Sequence, residues 1–246
     1  MKIQNLLLCV VLSFVACGKD SKQVVSLEEK TQKVQKMLDE KNLPFKVLEI
    51  TDMGHSLDLI TVKADNGTQE MLFSTSDGEV FMLVDSIIYS TDKELLSNIE
   101  SKRENLAKAS KEILDSALKE VLQGYKERAI HFSAKSPTNK RLIIISDPTC
   151  VYCAKELQEL DKRLEQYNVE MYLVAFIGPD AANRASYIME NKSDDEVKNK
   201  TLLQNAYNKD FDVGGGRDSL AKEVVDFSGV LVDSGVRGVP YIIEVE

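Results

Sequence analysis

Only four cysteines and two histidines occur in 246 residues, and no apolar run reaches the length of about twenty residues that a membrane-spanning helix needs. A permanent transmembrane helix is thereby excluded. Positive charge is scarce as well, since 31 Lys and Arg face 40 Asp and Glu for a formal net charge of −9. Setting aside the first sixteen residues, whose sole charged side chain is Lys2, makes it −10. A nucleic-acid partner is excluded on this balance. What is present is 43% apolar content, enough for one large core or two modest ones, and two domains suit this length better.

The amino terminus reads as an export signal, with Lys2 as a minimal positive start and an apolar run over residues 6–16. Residues 1–16 are therefore set apart as a signal peptide. Phe14-Val15-Ala16-Cys17 resembles the lipobox of bacterial lipoproteins, in which the cysteine is diacylated and becomes the first mature residue. Residues 17–25 would then be a lipidated tether holding the protein to the membrane. The alternative is a plain secretory signal with an incidental cysteine.

The cysteines sort themselves on this reading. Cys9 is discarded with the signal and Cys17 carries lipid, leaving Cys150 and Cys153 as thiols. Exported proteins ordinarily use cysteines as structural staples. A pair two residues apart closes a minimal loop, and loop-closure entropy rises with loop length, so this pair braces nothing. Chemistry explains it better than architecture.

Ser26 with Glu29 makes a capping box behind the staple residue Val25 and opens a helix with an apolar face of Leu27, Val34, Met37 and Leu38, stopped by Asn42 and Pro44. Short β-rich runs follow at 45–50, 57–62, 70–74, 80–84 and 86–89, with Asn66-Gly67 and Asp77-Gly78 as hairpin turns. Residues 26–90 thus form a small α+β domain, too slight for a pocket and with an edge in need of cover. Thr91 with Glu94 is a second capping box, and no Gly or Pro interrupts the chain until Gly124. Leu95, Ile99, Leu106, Ala109, Ile113, Ala117 and Val121 make one apolar stripe, so residues 91–124 read as a linker helix approaching 50 Å at about 1.5 Å per residue. Two shorter helices broken at the polar stretch 100–105 are the alternative.

Residues 125–246 alternate strand and helix, with strands at 129–133, 141–146, 169–176 and 241–245, and a helix from Cys150. Helical pattern dominates 180–233, interrupted near 191–193 and at Gly214-Gly215-Gly216. This order predicts an α/β sheet with a helical insertion. No strand precedes the glycine triplet and no Lys-Ser/Thr follows it, so it is a flexible loop and not a phosphate cradle.

Ile143 to Cys153 runs from a buried strand through the turn Asp147-Pro148-Thr149 into a helix that starts at Cys150. Unpaired N–H groups and the positive end of the helix dipole favour a thiolate there, which activates Cys150 as a nucleophile. Cys153 lies one turn on and deeper, suited to attack a mixed disulfide from behind. The same spacing is half a zinc site, but His55 and His131 are the only histidines and are not spaced as a pair, so neither metal nor cofactor is expected. Gly238-Val239-Pro240 directly before the last strand adds to the redox reading. In thioredoxin-like folds a cis proline faces the active-site cysteines and leaves neighbouring backbone free to pair with substrate. An ordinary trans proline at a strand start is the alternative.

With its helix and small β-domain, helical linker, Asp147-Pro148-Thr149-Cys150-Val151-Tyr152-Cys153 and Gly238-Val239-Pro240, the chain resembles the DsbC/DsbG family of bacterial periplasmic disulfide isomerases. The resemblance implies a thioredoxin-like catalytic domain behind a small dimerisation domain. It further implies a V-shaped homodimer joined through residues 26–90, and two active sites facing an apolar cleft. Cys150 matches the nucleophile, Cys153 the resolving thiol, Pro240 the cis proline and Val239 its preceding contact. The implied location is the periplasm, and the implied partners are unfolded or misoxidised exported proteins and a membrane redox partner, a DsbD-like reductase or a DsbB-like oxidase. Val239 stands where DsbC proteins typically have Thr and matches the oxidase DsbA better, which leaves three functions open: isomerase or reductase, dithiol oxidase, and a chaperone lipoprotein with incidental thiols. The chain closes on the strand after Pro240, where the family has a further strand and helix, so that strand's outer edge is expected to need another cover.

Overall fold

The computed structural model describes residues 26–83 and 88–245. Cys9, Cys17 and the signal and lipobox readings lie outside the described residues, as does the first half of the strand expected at 86–89.

Helix α1 spans Leu27–Glu40, and the Ser26 hydroxyl accepts from the Glu29 N–H as its cap. Its buried side chains are Val34 and Leu38; Leu27, expected on the apolar face, is exposed because it occupies the first helical position, outside the footprint of the sheet. Strands β1 (Phe45–Asp52), β2 (Leu57–Ala64), β3 (Gln69–Thr75) and β4 (Phe81–Leu83) form an antiparallel meander in that order. Gly67 and Gly78 sit at positive φ in the two expected turns, each donating its N–H to the carbonyl three residues back. Ile88 and Tyr89 are not in a strand.

Both faces of this sheet are covered, so β2 buries Asp58 through Val62 without alternation. Ile60, Val62 and Leu72 meet Val34 and Leu38 of α1. Leu59, Met71 and Phe73 face Ile99 and Leu95 of helix α2, Lys93–Gln123, which is unbroken over 31 residues. The two-helix alternative is thereby excluded. Asp92 caps α2 in place of Thr91, its carboxylate accepting from the Glu94 and Leu95 N–H groups. Contrary to the expectation of no pocket here, the sheet and α2 leave a cleft of about 440 Å³ bordered by Glu49, Asp52, Leu59, Asp92 and Lys102.

The stripe on α2 also differs in its second half, where Leu114, Leu118 and Leu122 pack inward while Ile113 and Ala117 face outward. Ser110 causes the offset: its hydroxyl accepts from the Gln69 N–H at 2.8 Å and donates to the Gln69 carbonyl at 3.0 Å, so a polar residue occupies the contact face.

The second sheet contains β5 (Ile130–Phe132), β6 (Arg141–Ser146), β7 (Asn168–Leu173) and β8 (Tyr241–Val245) in the order β5-β7-β6-β8. β6 and β7 are parallel; β5 and β8 run antiparallel to their neighbours. Its helices are α3 (Val151–Gln158), α4 (Leu160–Arg163), α5 (Pro179–Asn191), α6 (Glu196–Tyr207) and α7 (Asp218–Asp233). Leu142 and Ile144 point to the face covered by α3 to α6, while Ile143 and Ile145 point to α7 and the end of α2. The loop at residues 213–216 is tied down, since Arg217 donates to the Val213 and Gly214 carbonyls and Asn183 to that of Gly214. Along the outer edge of β8, Lys111 of α2 donates to the Ile242 carbonyl and the Tyr241 hydroxyl donates to Asp115. The linker helix is therefore the cover that this edge was expected to need. Among the described residues no helix is long and apolar enough to cross a membrane.

Candidate active site

β6 delivers the chain to the site as a strand buried from Leu142 to its end at Ser146. Asp147 follows, 0% exposed, and its side chain makes the turn. One carboxylate oxygen accepts from the N–H and the hydroxyl of Thr149, both at 2.7 Å; the other accepts from the N–H groups of Phe176 and Ile177 at 2.8 and 3.1 Å. Such a side-chain turn two residues long is what Asp before Pro-Thr favours. It stitches the loop before α3 to the loop after β7.

Cys150 is the N-cap of α3, so the helix begins one residue after the expected start, and its main-chain carbonyl accepts from Ala154. Its Sγ lies 3.5 Å from the Val239 carbonyl oxygen, and the Val239–Pro240 peptide bond is cis. The structure thus brings together Cys150, Cys153, Val239 and Pro240, separated by up to ninety positions in sequence. Cys150 is almost as buried as Cys153, with Val239 lying over its sulfur. Val151, Tyr152 and Ile177 are 68%, 69% and 58% exposed. Three exposed apolar side chains therefore flank the cysteine loop, two following Cys150 in sequence and Ile177 tied to the loop through Asp147.

Cys153, one turn deeper and fully buried, is a free thiol like Cys150 and is in hydrogen-bonding contact with it. Its Sγ accepts from the Asp147 N–H at 3.4 Å. Burial pushes its thiol up to about 12, against the hydrogen bonds from Asp147 N–H and the Ser146 hydroxyl, while the neighbouring Cys150 sulfur raises it further. The two sulfurs therefore differ in depth, Cys150 being 5% exposed at the helix terminus and Cys153 0% exposed one turn further in. The outer sulfur is the one an incoming disulfide reaches first, and the inner one can displace it.

Ser146 and Asp147 stand inside the motif with no role assigned from the sequence, though Asp-Pro-Thr is a turn signal that could assign one to Asp147. Tyr207 has no sequence signal. The hydroxyls of Ser146 and Tyr207 lie 2.6 Å apart beneath the cysteines, and nothing in the local pattern of α6 points 61 residues back to β6. Among the described residues no group of three or more His, Cys, Asp or Glu side chains is arranged to hold a metal ion.

Residues 17–118 match the family of N-terminal domains of the disulfide isomerase DsbG. DsbG of Helicobacter pylori is similar in structure across 87% of this chain and 99% of its own, with a TM-score of 0.51 and 21% identity. A linker-deleted ScsC of Proteus mirabilis covers 65% of this chain and 88% of its own at a TM-score of 0.39 and 16% identity. A disulfide interchange protein of Neisseria gonorrhoeae covers 48% and 79% at 0.37 and 21%. No curated protein matches the sequence.

Proposed function

We propose that this chain, which is DsbC/DsbG-like in its N-terminal domain and overall fold, is a thiol–disulfide oxidoreductase of the bacterial envelope acting on exported proteins, chiefly as isomerase or reductase. The observation that carries the reading is the placement of the Cys150 sulfur. Cys150 occupies the N-cap position of α3, its sulfur sits 3.5 Å from the Val239 carbonyl beside the cis Val239–Pro240 bond, and a second free thiol lies one turn deeper.

In the first step the Cys150 thiolate attacks a substrate disulfide, forming a Cys150–substrate S–S bond and releasing a substrate thiolate. That thiolate can attack elsewhere in the substrate, which rearranges its disulfides. Otherwise the Cys153 thiolate attacks Cys150, forming the Cys150–Cys153 disulfide and releasing the reduced substrate. Backbone beside Pro240 and the exposed apolar side chains of Val151, Tyr152 and Ile177 would hold an extended, partly unfolded chain during this exchange. A periplasmic location, a homodimer assembled through residues 26–90, a lipid anchor at Cys17 and a membrane partner that resets the thiols belong to the same proposal.

Cys150→Ser is expected to abolish insulin reduction and refolding of scrambled substrates, and Cys153→Ser to accumulate mixed disulfides. Wild-type turnover by Cys150→Ser would sink the assignment. Val239, lying over the Cys150 sulfur where DsbC typically has Thr, favours a second reading as a dithiol oxidase. The equilibrium of the pair with glutathione decides between them: a mostly oxidised pair supports the oxidase, a mostly reduced one the isomerase.

A further inference from the structure

The Tyr207 hydroxyl stands at the end of α6 and reaches under the active site to the Ser146 hydroxyl, 2.6 Å away. Ser146 is buried and directly precedes Asp147, whose N–H donates to the fully enclosed Cys153 sulfur at 3.4 Å. Among the described residues the Tyr207 hydroxyl has no other hydrogen-bond partner. A serine hydroxyl has one proton to give. If that proton goes to the sulfur, the serine oxygen must accept from the phenol. The opposite direction would leave the phenol proton buried without an acceptor, which costs more.

We propose that Tyr207 is a positioning residue for the resolving step, orienting the Ser146 hydroxyl so that it donates to Cys153 Sγ and stabilises the thiolate that attacks the mixed disulfide. The inference rests on the thiol–disulfide function proposed above. The other titratable groups facing the Cys153 sulfur are Cys150 and Asp147; the Asp147 carboxylate is turned away, committed to Thr149, Phe176 and Ile177, and only its main-chain N–H reaches the sulfur. Burial keeps the phenol protonated well beyond the usual tyrosine range, so it stays a donor. Its ring packs against the core beneath α3 to α6 and borders a cleft of about 400 Å³, so a variant that keeps the ring and removes only the hydroxyl isolates the hydrogen bond.

The consequence is a timer. The longer Cys153 takes to form its thiolate, the longer a substrate stays joined to Cys150 and the more rearrangement competes with release.

Reaction of the reduced chain carrying Cys9→Ser and Cys17→Ser, whose remaining thiols are Cys150 and Cys153, with Ellman's reagent in a stopped-flow instrument separates the steps. The Cys150 thiolate displaces one thionitrobenzoate anion and forms a mixed disulfide. Cys153 then loses its proton to buffer, attacks the Cys150 sulfur and displaces the second anion. Removing a hydrogen bond to a thiolate lowers its population roughly tenfold or more. About half of that, on a logarithmic scale, is offset because a more basic thiolate is a better nucleophile. Ser146→Ala should therefore slow the second phase relative to the first by roughly threefold or more, Tyr207→Phe by a smaller factor of about twofold, and Ser146→Thr should restore most of the rate. Since Tyr207 acts through Ser146, adding Tyr207→Phe to Ser146→Ala should change nothing more. An unchanged ratio in Tyr207→Phe, or a full additional effect in the double variant, overturns the inference while leaving the function intact. Absence of the first phase in the parent chain, with Ser146 and Tyr207 intact, overturns the function itself, and the inference with it.

Discussion

Asp147 offers a sharp test of what holds the redox loop, because among the described residues its buried carboxylate has no Lys or Arg bonded to it and satisfies four donors, three of them main-chain N–H groups. Two forces oppose each other. Burying a carboxylate is costly, whereas each N–H left without an acceptor costs about 1–3 kcal/mol. In Asp147→Ala all three N–H groups are orphaned, and the expected loss is about 4 kcal/mol after water and relaxation recover part of it. In Asp147→Asn the amide oxygen can still serve Phe176 and Ile177, and the amide N–H can face Thr149, whose hydroxyl turns to accept. One N–H, that of Thr149, is then orphaned, for about 2 kcal/mol. Urea unfolding followed by tyrosine fluorescence measures both, the chain having eight Tyr and no Trp. The Ala variant should also melt roughly 10 °C lower. If Asp147→Asn were as stable as the wild type or more stable, carboxylate desolvation would outweigh hydrogen bonding and the account of the loop would fail.

The Cys153 thiol ordinarily titrates at 9.0 and is pushed to about 12 in the fold, so the folded state holds its proton more tightly. Its contribution is complete below pH 9 and is lost as pH rises toward 12, by about 1.4 kcal/mol per pH unit for the reduced protein; Cys153→Ala should lack this slope, and equal slopes in the two would refute the shift. Arg184, buried, donates to the carbonyls of Ala206, Asn208 and Lys209 and to Asp180, tying α5 to the end of α6. Arg184→Met should cost about 3 kcal/mol in the same urea experiment, and a loss under 1 kcal/mol would show those carbonyls to be served by water. Light scattering on the mature protein should give twice the chain mass at micromolar concentration, and a monomer mass there would remove the paired-site arrangement from the proposal.

β6 could be read to its boundaries because Leu142 to Ile145 is an apolar run bracketed by Arg141 and Asp147-Pro148, and β8 because Pro240 precedes a β-rich run. The redox site adjoins those two strands, the segment from Asp147 to Cys153 following β6 and Val239-Pro240 preceding β8. The stripe on α2 was misread beyond Leu106, since periodicity counts apolar residues and Ser110 earns its inward place through hydrogen bonds to Gln69. Thr91 and Asp92 are both good caps, and the pattern does not say which one the helix chooses. Tyr207 stayed hidden because its contact with Ser146 is made by the packing of α6 against the sheet, which no local spacing encodes.

Between Ser110 and Asp115, α2 is gripped from two sides. Ser110 holds Gln69 of the first sheet, and Lys111 and Asp115 hold Ile242 and Tyr241 of the second. The helix is therefore a keyed shaft: the azimuth of the redox face about its axis is set by residue count alone. One residue inserted between Ser110 and Lys111 would turn everything beyond it by about 100° and advance it by about 1.5 Å relative to the first sheet. Length could change with the face still aligned only in steps near whole turns, such as seven or eleven residues. Homologous linkers should differ by such increments, and a single-residue insertion should rotate Cys150 out of line with whatever the N-terminal sheet grips.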